Sequence, residues 1–511
     1  MIVAARLLSF LTGFLSLSQE ILWMRIVSFA YAGAPQAFGL VLAIYLAGIG
    51  VGAAIGKLFC QGRTDLFKVS GYVLLIAGVF DLLLPWATAH AMGYGRLPGT
   101  ATLAVSVFLT SMGKSIIFPI AHHLGSSQSQ SSVGSSVSKV YFANIAGSTL
   151  GPLLTGFVLL QIMTLEQCLT VMAGLTFLIA LACLWQANGR VLQMQPLIVA
   201  LISMSIPALV SGQLVRTLAR NTGNGEGGIK QVVENRYGII HVVNAPKGGD
   251  AVFGGNAYDG RINIDLVNDS NGIARVYALA ALKPDAKRIL NIGMSSGAWT
   301  RVLAAFPALE RLDVIEINPG YSAVAKTYPP IAPIFDDPKV MIHYDDGRRW
   351  LKRHPLESYD LIVMNTTWHW RGYATLLLSQ DFIAEIKQHM LKGAVLAYNS
   401  TGSPEVLKTA STMFRQVYLQ DNFVVAGDDI VMPNHSDAQP RIAAVQRRID
   451  PALAVSVTRP PIMTEYWSRA FIPFAEVEKT SNRALEVITD QNMLTEFKHG
   501  RSVLGYLNKK Q

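Results

Sequence analysis

Seven apolar stretches dominate the first 215 residues, at 2–30, 37–56, 70–91, 101–120, 140–163, 167–186 and 195–213. Each approaches the roughly 20 residues that a helix needs to cross a bilayer core. The pattern changes after 228. From 229 to 270 short alternating runs such as Gly238-Ile239-Ile240-His241-Val242-Val243 and Arg261-Ile262-Asn263-Ile264-Asp265-Leu266 are broken by Gly, Asn and Asp, as strands are. Beyond 271, apolar runs at 287–293, 311–317, 339–343, 359–365 and 393–399 alternate with helical patterns, notably at 297–306 and 379–391. That alternation predicts a parallel sheet with crossover helices. The expected fold is therefore a multi-pass α-helical membrane bundle followed by an α/β Rossmann-like domain with a small β lead-in. The expected boundaries are 1–215 for about seven transmembrane helices, 216–228 for a linker, 229–270 for the lead-in and 271–511 for the Rossmann-like domain.

Composition sharpens this division. The 511-residue chain is 51% hydrophobic and 15% charged, against about 25% charged in a typical soluble domain. Residues 1–220 hold 11 basic residues and only four acids, Glu20, Asp65, Asp81 and Glu166; the other 32 basic and 30 acidic residues lie beyond. The excess positive charge thus sits beside the membrane segments, and no basic stripe with interleaved aromatics points to nucleic acid. Cys60, Cys168 and Cys183 all fall in or next to apolar segments, in no pattern that suggests zinc or a disulfide framework, so no metal is expected. A cleavable signal peptide is disfavoured for the first stretch, which is long and contains Glu20 and Arg25.

Within the apolar half, Gly48, Gly52 and Gly56 repeat every four residues, a doubled small-residue face for close helix packing, and Gly147, Gly151 and Gly156 near Pro152 make a similar surface. Glu20 and Arg25 are about 140° apart around a helix, so a direct pair is imperfect; Trp23 is expected to anchor Arg25 at the interface. Gly125-Ser126 through Ser131-Ser132 reads as a flexible linker, with His122 and His123 as solvated loop residues. Loop charges raise a conflict. Seven crossings put Arg6, Lys57, Arg63, Lys68, Lys139 and Arg190 on one side, and Arg96, Arg216 and Arg220 on the side of the α/β domain. The positive-inside rule would leave that domain outside, whereas a nucleoside-binding domain is expected in the cytoplasm, on a multi-pass protein of the inner membrane.

Candidate chemistry lies at the carboxyl ends of the predicted strands, where such sheets bind ligands. The first strand runs into Gly293-Met294-Ser295-Ser296-Gly297, where glycines permit a tight turn into a helix. The second ends on Glu316, placed to accept from ribose hydroxyls, and the third on Asp345-Asp346-Gly347, where an acid can read an adenine amino group.

These residues resemble the spermidine synthase family, a branch of the S-adenosylmethionine-dependent methyltransferase fold, over about 229–430. The apolar half is similar to the multi-spanning region of membrane-fused spermidine synthase-like proteins, on Gln19-Glu20-Ile21-Leu22-Trp23-Met24-Arg25 and Ala143-Asn144-Ile145-Ala146-Gly147-Ser148-Thr149-Leu150-Gly151. The late Ile488-Thr489-Asp490 is similar to their C-terminal pattern. The resemblance implies S-adenosylmethionine, or its decarboxylated form, as a cosubstrate held by Gly293, Ser295, Gly297, Glu316, Asp345, Asp346 and Asn365.

The catalytic positions depart from the family. Where synthases carry an aspartate after the fourth strand and a second three residues later, this chain has Asn365 and Trp368, and where they carry an aromatic–His–Glu run it has Tyr277-Ala278-Leu279. An amide cannot serve as a carboxylate base. His369 is the expected base, with Asn365 and Asp345 as the other catalytic candidates. Trp368, Trp370, Arg371, Tyr258 and His241 are the acceptor-side candidates, aromatic faces suiting an apolar or cationic group and Arg371 an anion. Three functions follow: an aminopropyl-type transferase acting on an amine; a methyltransferase acting on a lipid or membrane-delivered substrate; and a non-catalytic nucleoside sensor or transporter. The expected partners are a lipid bilayer, a nucleoside cosubstrate, an amine or lipid acceptor and, as a homodimer, a second copy of the chain.

Overall fold

Uninterrupted apolar sequence with few Gly–Pro breaks gives long helices, and these fill the N-terminal unit. The computed structural model describes residues 2–62, 65–126, 133–189, 191, 193–266, 268–449 and 471–500, and Arg63, Arg190 and most of the Ser/Gln-rich linker lie outside them. The chain divides into two units: residues to 226 with 234–239, and 227–233 with 240–502.

In the first unit six helices are long and apolar enough to cross a membrane: Ile2–Ala30, Gln36–Gln61, Leu66–Tyr94, Arg96–Ser126, Gly134–Ile162 and Leu165–Ala187. The seventh predicted stretch forms the helix Met194–Leu209. At 1.5 Å per residue its 16 residues span about 24 Å, short of a core of about 30 Å. The chain nevertheless returns to the end at which Leu165–Ala187 began, since the Leu214 amide donates to Glu166 at 3.3 Å. Part of the predicted linker is helical, as Leu214–Asn221. His122 and His123 lie on the helix Ile117–Ser126 rather than in a loop.

Small residues set the packing of this unit. A Cβ on Gly48, Gly52 or Gly56 would collide with the carbonyls of Phe108, Met112 and Ile116, and one on Gly147 or Gly151 with those of Phe10 and Phe14. Gly156 faces open space and takes no part. Trp23 is fully buried rather than an interfacial anchor. Arg25 finds no partner in Glu20; it donates to the carbonyls of Asn235 at 2.5 Å and Gly238 at 2.8 Å. An unforeseen feature is the ion pair of Lys114 with Asp81 at 2.6 Å, both fully buried, to which Thr176 adds a hydrogen bond at 3.2 Å.

Two sheets follow, lying in the second unit apart from residues 234–239 of the first two strands. β1 (Ile229–Asn235), β2 (Gly238–Val243), β3 (Ala251–Gly254) and β4 (Ala257–Arg261) form a four-stranded sheet in that order. β5 (Arg288–Ile292), β6 (Arg311–Ile315), β7 (Val340–His343), β8 (Tyr359–Met364) and β9 (Met390–Asn399) run parallel. β10 (Gln416–Gln420), β11 (Phe423–Gly427) and the short β12 (Ile472–Pro473) complete a mixed sheet ordered β12-β10-β11-β9-β8-β5-β6-β7. Chain order reverses between β5 and β8. There the crossovers leave in opposite directions and open a crevice at the strand ends. Near-continuous Val, Ile and Leu in β5, β6 and β8 follow from burial on both faces.

Candidate functional site

At the end of β5 the backbone turns through three left-handed residues, Gly293 (φ +88°), Ser295 (φ +48°) and Gly297 (φ +79°), before the helix Ala298–Ala304. Gly293 has no room for a side chain: a Cβ would lie 2.8 Å from the Asn365 carbonyl oxygen. The β5 and β8 loops therefore touch backbone to backbone.

Glu316, at the end of β6, reaches into this turn. Its Oε2 accepts from the amides of Met294 at 2.8 Å and Ser295 at 3.3 Å, and its Oε1 from that of Asn318 at 2.8 Å. A carboxylate has about four acceptor positions, so three are occupied and room remains for one hydroxyl donor. Burial pushes the Glu316 carboxyl up to about 7, against the pull of those three amides. At the end of β7, Asp346 caps the helix Gly347–Arg353 through the Arg349 amide at 2.9 Å. Burial works against ionisation of Asp345, but hydrogen bonds from Arg349 and the Asp346 amide, with the charges of Arg349 and Arg353, hold its carboxyl below the usual range. A carboxylate so held is a weak base. Asp490 of the late motif braces this corner, pairing with both Arg348 nitrogens at 2.9 and 2.8 Å and accepting from Ser379 at 2.6 Å.

Beside the turn lies a cavity of about 150 Å³. It brings together three sequence-identified residues, Tyr258, Asn365 and Trp368, with others that the sequence did not mark, chiefly Asp259, Asn271, Arg275, Trp299 and Asn399. Trp368 Nε1 donates to the Tyr258 carbonyl at 3.1 Å. Tyr258 donates to Asn271 Oδ1 at 3.2 Å. Asn399 Nδ2 donates to Asn365 Oδ1 at 3.2 Å, while its own Oδ1 accepts from Arg275 at 3.0 Å. The Arg275 guanidinium lies over the rings of Trp299 and Phe423, 5.2 and 5.6 Å from their centroids. Asp259 accepts from the Tyr321 hydroxyl. Burial raises the Asp259 carboxyl above its ordinary value, and the Arg371 charge opposes that shift.

The expected base His369 and the acceptor-side candidates Trp370, Arg371 and His241 stand outside the lining. His369 Nδ1 lies 2.7 Å from the Thr401 carbonyl oxygen. A carbonyl only accepts, so Nδ1 carries a proton. Thr401 itself lines the cavity. Trp370 is buried, and Arg371 donates to the Thr367 hydroxyl at 2.7 Å. His241 is buried in β2, stacked on Phe253 with 4.9 Å between ring centroids. Tyr277, Ala278 and Leu279 are core residues, the Tyr277 hydroxyl donating to the Ile264 carbonyl, so that segment offers the cavity no acid. No cluster of three or more metal-ligating side chains occurs among the described residues.

Comparison with known proteins places this half of the chain. Residues 276–436 match the spermine/spermidine synthase domain. A polyamine aminopropyltransferase of Agathobacter rectalis is 31% identical over 142 residues, which are 27% of this chain and 49% of that one. Another, of Streptococcus pneumoniae, is 31% identical over 130 residues, 25% of this chain and 44% of that one. The chain thus spans about half the length of these relatives. Among solved structures, the spermidine synthase of Thermotoga maritima overlaps 55% of this chain and 87% of its own, at 15% identity and a TM-score of 0.33. The C-terminal half carries a spermidine synthase-like domain, and it follows a helical region with six apolar candidate spans.

Proposed function

We propose that this chain is a membrane-anchored, spermidine synthase-like transferase that binds an S-adenosylmethionine-type nucleoside and transfers an aminopropyl or related group to an amine. The nucleoside lies across Gly293, Glu316 and Asp346, and the acceptor enters the cavity of Asn365, Trp368 and Tyr258. One observation supports this above the rest. The left-handed turn, Glu316 and Asp346 sit at three adjacent strand ends beside the reversal of strand order, and the cavity opens next to them, sharing Ser296 and Asn365 with the two loops. The matched domain and the relatives named polyamine aminopropyltransferase support this reading over a lipid methyltransferase or a non-catalytic sensor.

Mass spectrometry of small molecules released from the purified full chain tests the proposal, together with calorimetry using methylthioadenosine. Recovery or micromolar binding of an adenosyl thioether is expected; no binding by a folded chain would refute it. Six apolar helices support residence in the inner membrane. The α/β domain is assigned to the cytoplasmic side, where adenosyl cosubstrates are made. Protection of a C-terminal reporter from external protease in intact cells is the expected result, and its cleavage would favour the loop-charge count instead.

A further inference from the structure

The geometry points to a ligand bearing an amino-acid group, an ammonium and a carboxylate together, in the cavity beside the glycine turn. This inference rests on the transferase reading and names the chemistry of what that cavity holds.

Volume and charge carry it. A cavity of about 150 Å³ matches the size of engineered cavities that hold one benzene molecule, so it encloses about six heavy atoms. Among its described lining residues, Asp259 is the one carboxylate and Arg275 the one cation. Amide side chains of Asn271, Asn365, Asn399 and Asn422 fill much of the remaining polar wall. A diamine would bring two positive charges against one acid already facing the charge of Arg371, and would meet a guanidinium as well. An unpaired buried charge is strongly unfavourable. A zwitterion instead finds one wall group of opposite charge for each of its own.

The Arg275 guanidinium is held in place for this. It sits against the mutually perpendicular rings of Trp299 and Phe423, with hydrogen bonds to Asn399 Oδ1 at 3.0 Å and the Asn271 carbonyl at 3.2 Å. A planar, pre-oriented fork suits a carboxylate. For an ammonium the acceptors are Asp259 and the second lone pair of Asn365 Oδ1, whose first takes Asn399 Nδ2. Two sources share this chemistry. One is the amino-acid tail of an intact S-adenosylmethionine-type cosubstrate, lying next to Ser296. The other is a free amino acid acting as acceptor.

Two matched pairs, each differing only in a carboxylate, distinguish the sources. Calorimetry on the full chain in detergent would compare S-adenosylhomocysteine with S-adenosyl-3-thiopropylamine. It would then compare 2,4-diaminobutyrate with 1,3-diaminopropane, with and without methylthioadenosine. We expect the carboxylate-bearing member of one pair to bind about tenfold tighter or better, the range of a charge-assisted bidentate contact. Preference in the first pair assigns the nucleoside tail, and in the second a free amino acid. Arg275→Gln should erase the preference and Arg275→Lys should retain only part of it. Equal or weaker binding of both carboxylate members to the wild-type chain overturns the inference, whether or not the variants fold. So does a preference that survives in folded Arg275→Gln. Failure of methylthioadenosine to bind would count against the nucleoside reading alone, since the second pair is still measured without it.

Discussion

Glu316 should make nucleoside binding tighten as pH rises through neutrality, and Glu316→Gln should remove that dependence. The buried carboxyl is pushed up to about 7 because desolvation outweighs the three amides that it accepts from. A ribose hydroxyl donating to the open position on Oε1 prefers the ionised form, so binding releases a proton. With a free-state value near 7, about nine-tenths of the carboxyls are ionised at pH 8 and about one-tenth at pH 6, so affinity should fall about tenfold between them. The stability term has the opposite sense. Because the folded value lies above the unfolded one, the protonated carboxyl favours the folded state. That contribution is complete below about pH 4.5 and is lost as pH rises through 7; a gap of about 2.5 units corresponds to roughly 3 kcal/mol. Gln keeps the shape but turns an NH₂ toward a backbone N–H, at a cost of about 1–3 kcal/mol for the unpaired donors. Calorimetry with methylthioadenosine from pH 6 to 8, in buffers of different ionisation enthalpy, measures both the affinity and the proton released. A flat wild-type profile with no proton release, or a slope that persists in folded Glu316→Gln, would refute the reasoning.

Lys114→Met should cost about 3–5 kcal/mol by stranding Asp81 in the helical core, and adding Asp81→Leu should recover much of it, read as melting temperature in detergent. Gly293→Ala should abolish nucleoside binding and lower the melting temperature, because it combines a left-handed backbone with a Cβ 2.8 Å from the Asn365 carbonyl; calorimetry and thermal melting check this. Putrescine turnover should be far below that of a spermidine synthase, and Asn365→Asp should raise it in a coupled assay of spermidine formation. If any amine is a substrate, His369→Ala should cost about 10²–10⁴-fold in kcat, and Asn365→Ala much less.

Periodicity located the elements because it reports burial, and burial is what the helices and strands share. The central strands lie within two or three residues of their expected ends, since Val- and Ile-rich runs buried on both faces have few other places to go. Pairwise geometry inside the helical unit was not legible. Asp81 and Lys114 are 33 residues apart, on helices that periodicity treats separately, so nothing local announces their pairing. Glu20 is the one acid on the helix that carries Arg25, whereas the partners of Arg25 are backbone carbonyls more than 200 residues away. A backbone acceptor has no sequence signature.

The same asymmetry explains the site. Gly293, Glu316 and Asp346 could be read because each stands at the end of its own strand, where fold and sequence position are tied together. Beyond Tyr258, Asn365 and Trp368 the cavity wall could not, because it is assembled from six separate stretches: the β4 segment, the loop and helix around Asn271 and Arg275, the glycine turn with the helix after it, the β8 loop, the end of β9 and the turn before β11. The signal that could have found Arg275 was an arginine at the second position of an otherwise apolar helix, followed two residues later by Tyr277 where the resemblance leads one to expect an acid-bearing run. By the resemblance, two carboxylates of the family are replaced in the wall by Asn365 and Trp368, and its acidic run by the core residues Tyr277, Ala278 and Leu279, while Asp259 is the one carboxylate and Arg275 the one cation among the described lining residues. Charge replacement of this kind redirects selectivity, because a site is specific as much through the partners it repels as through those it attracts.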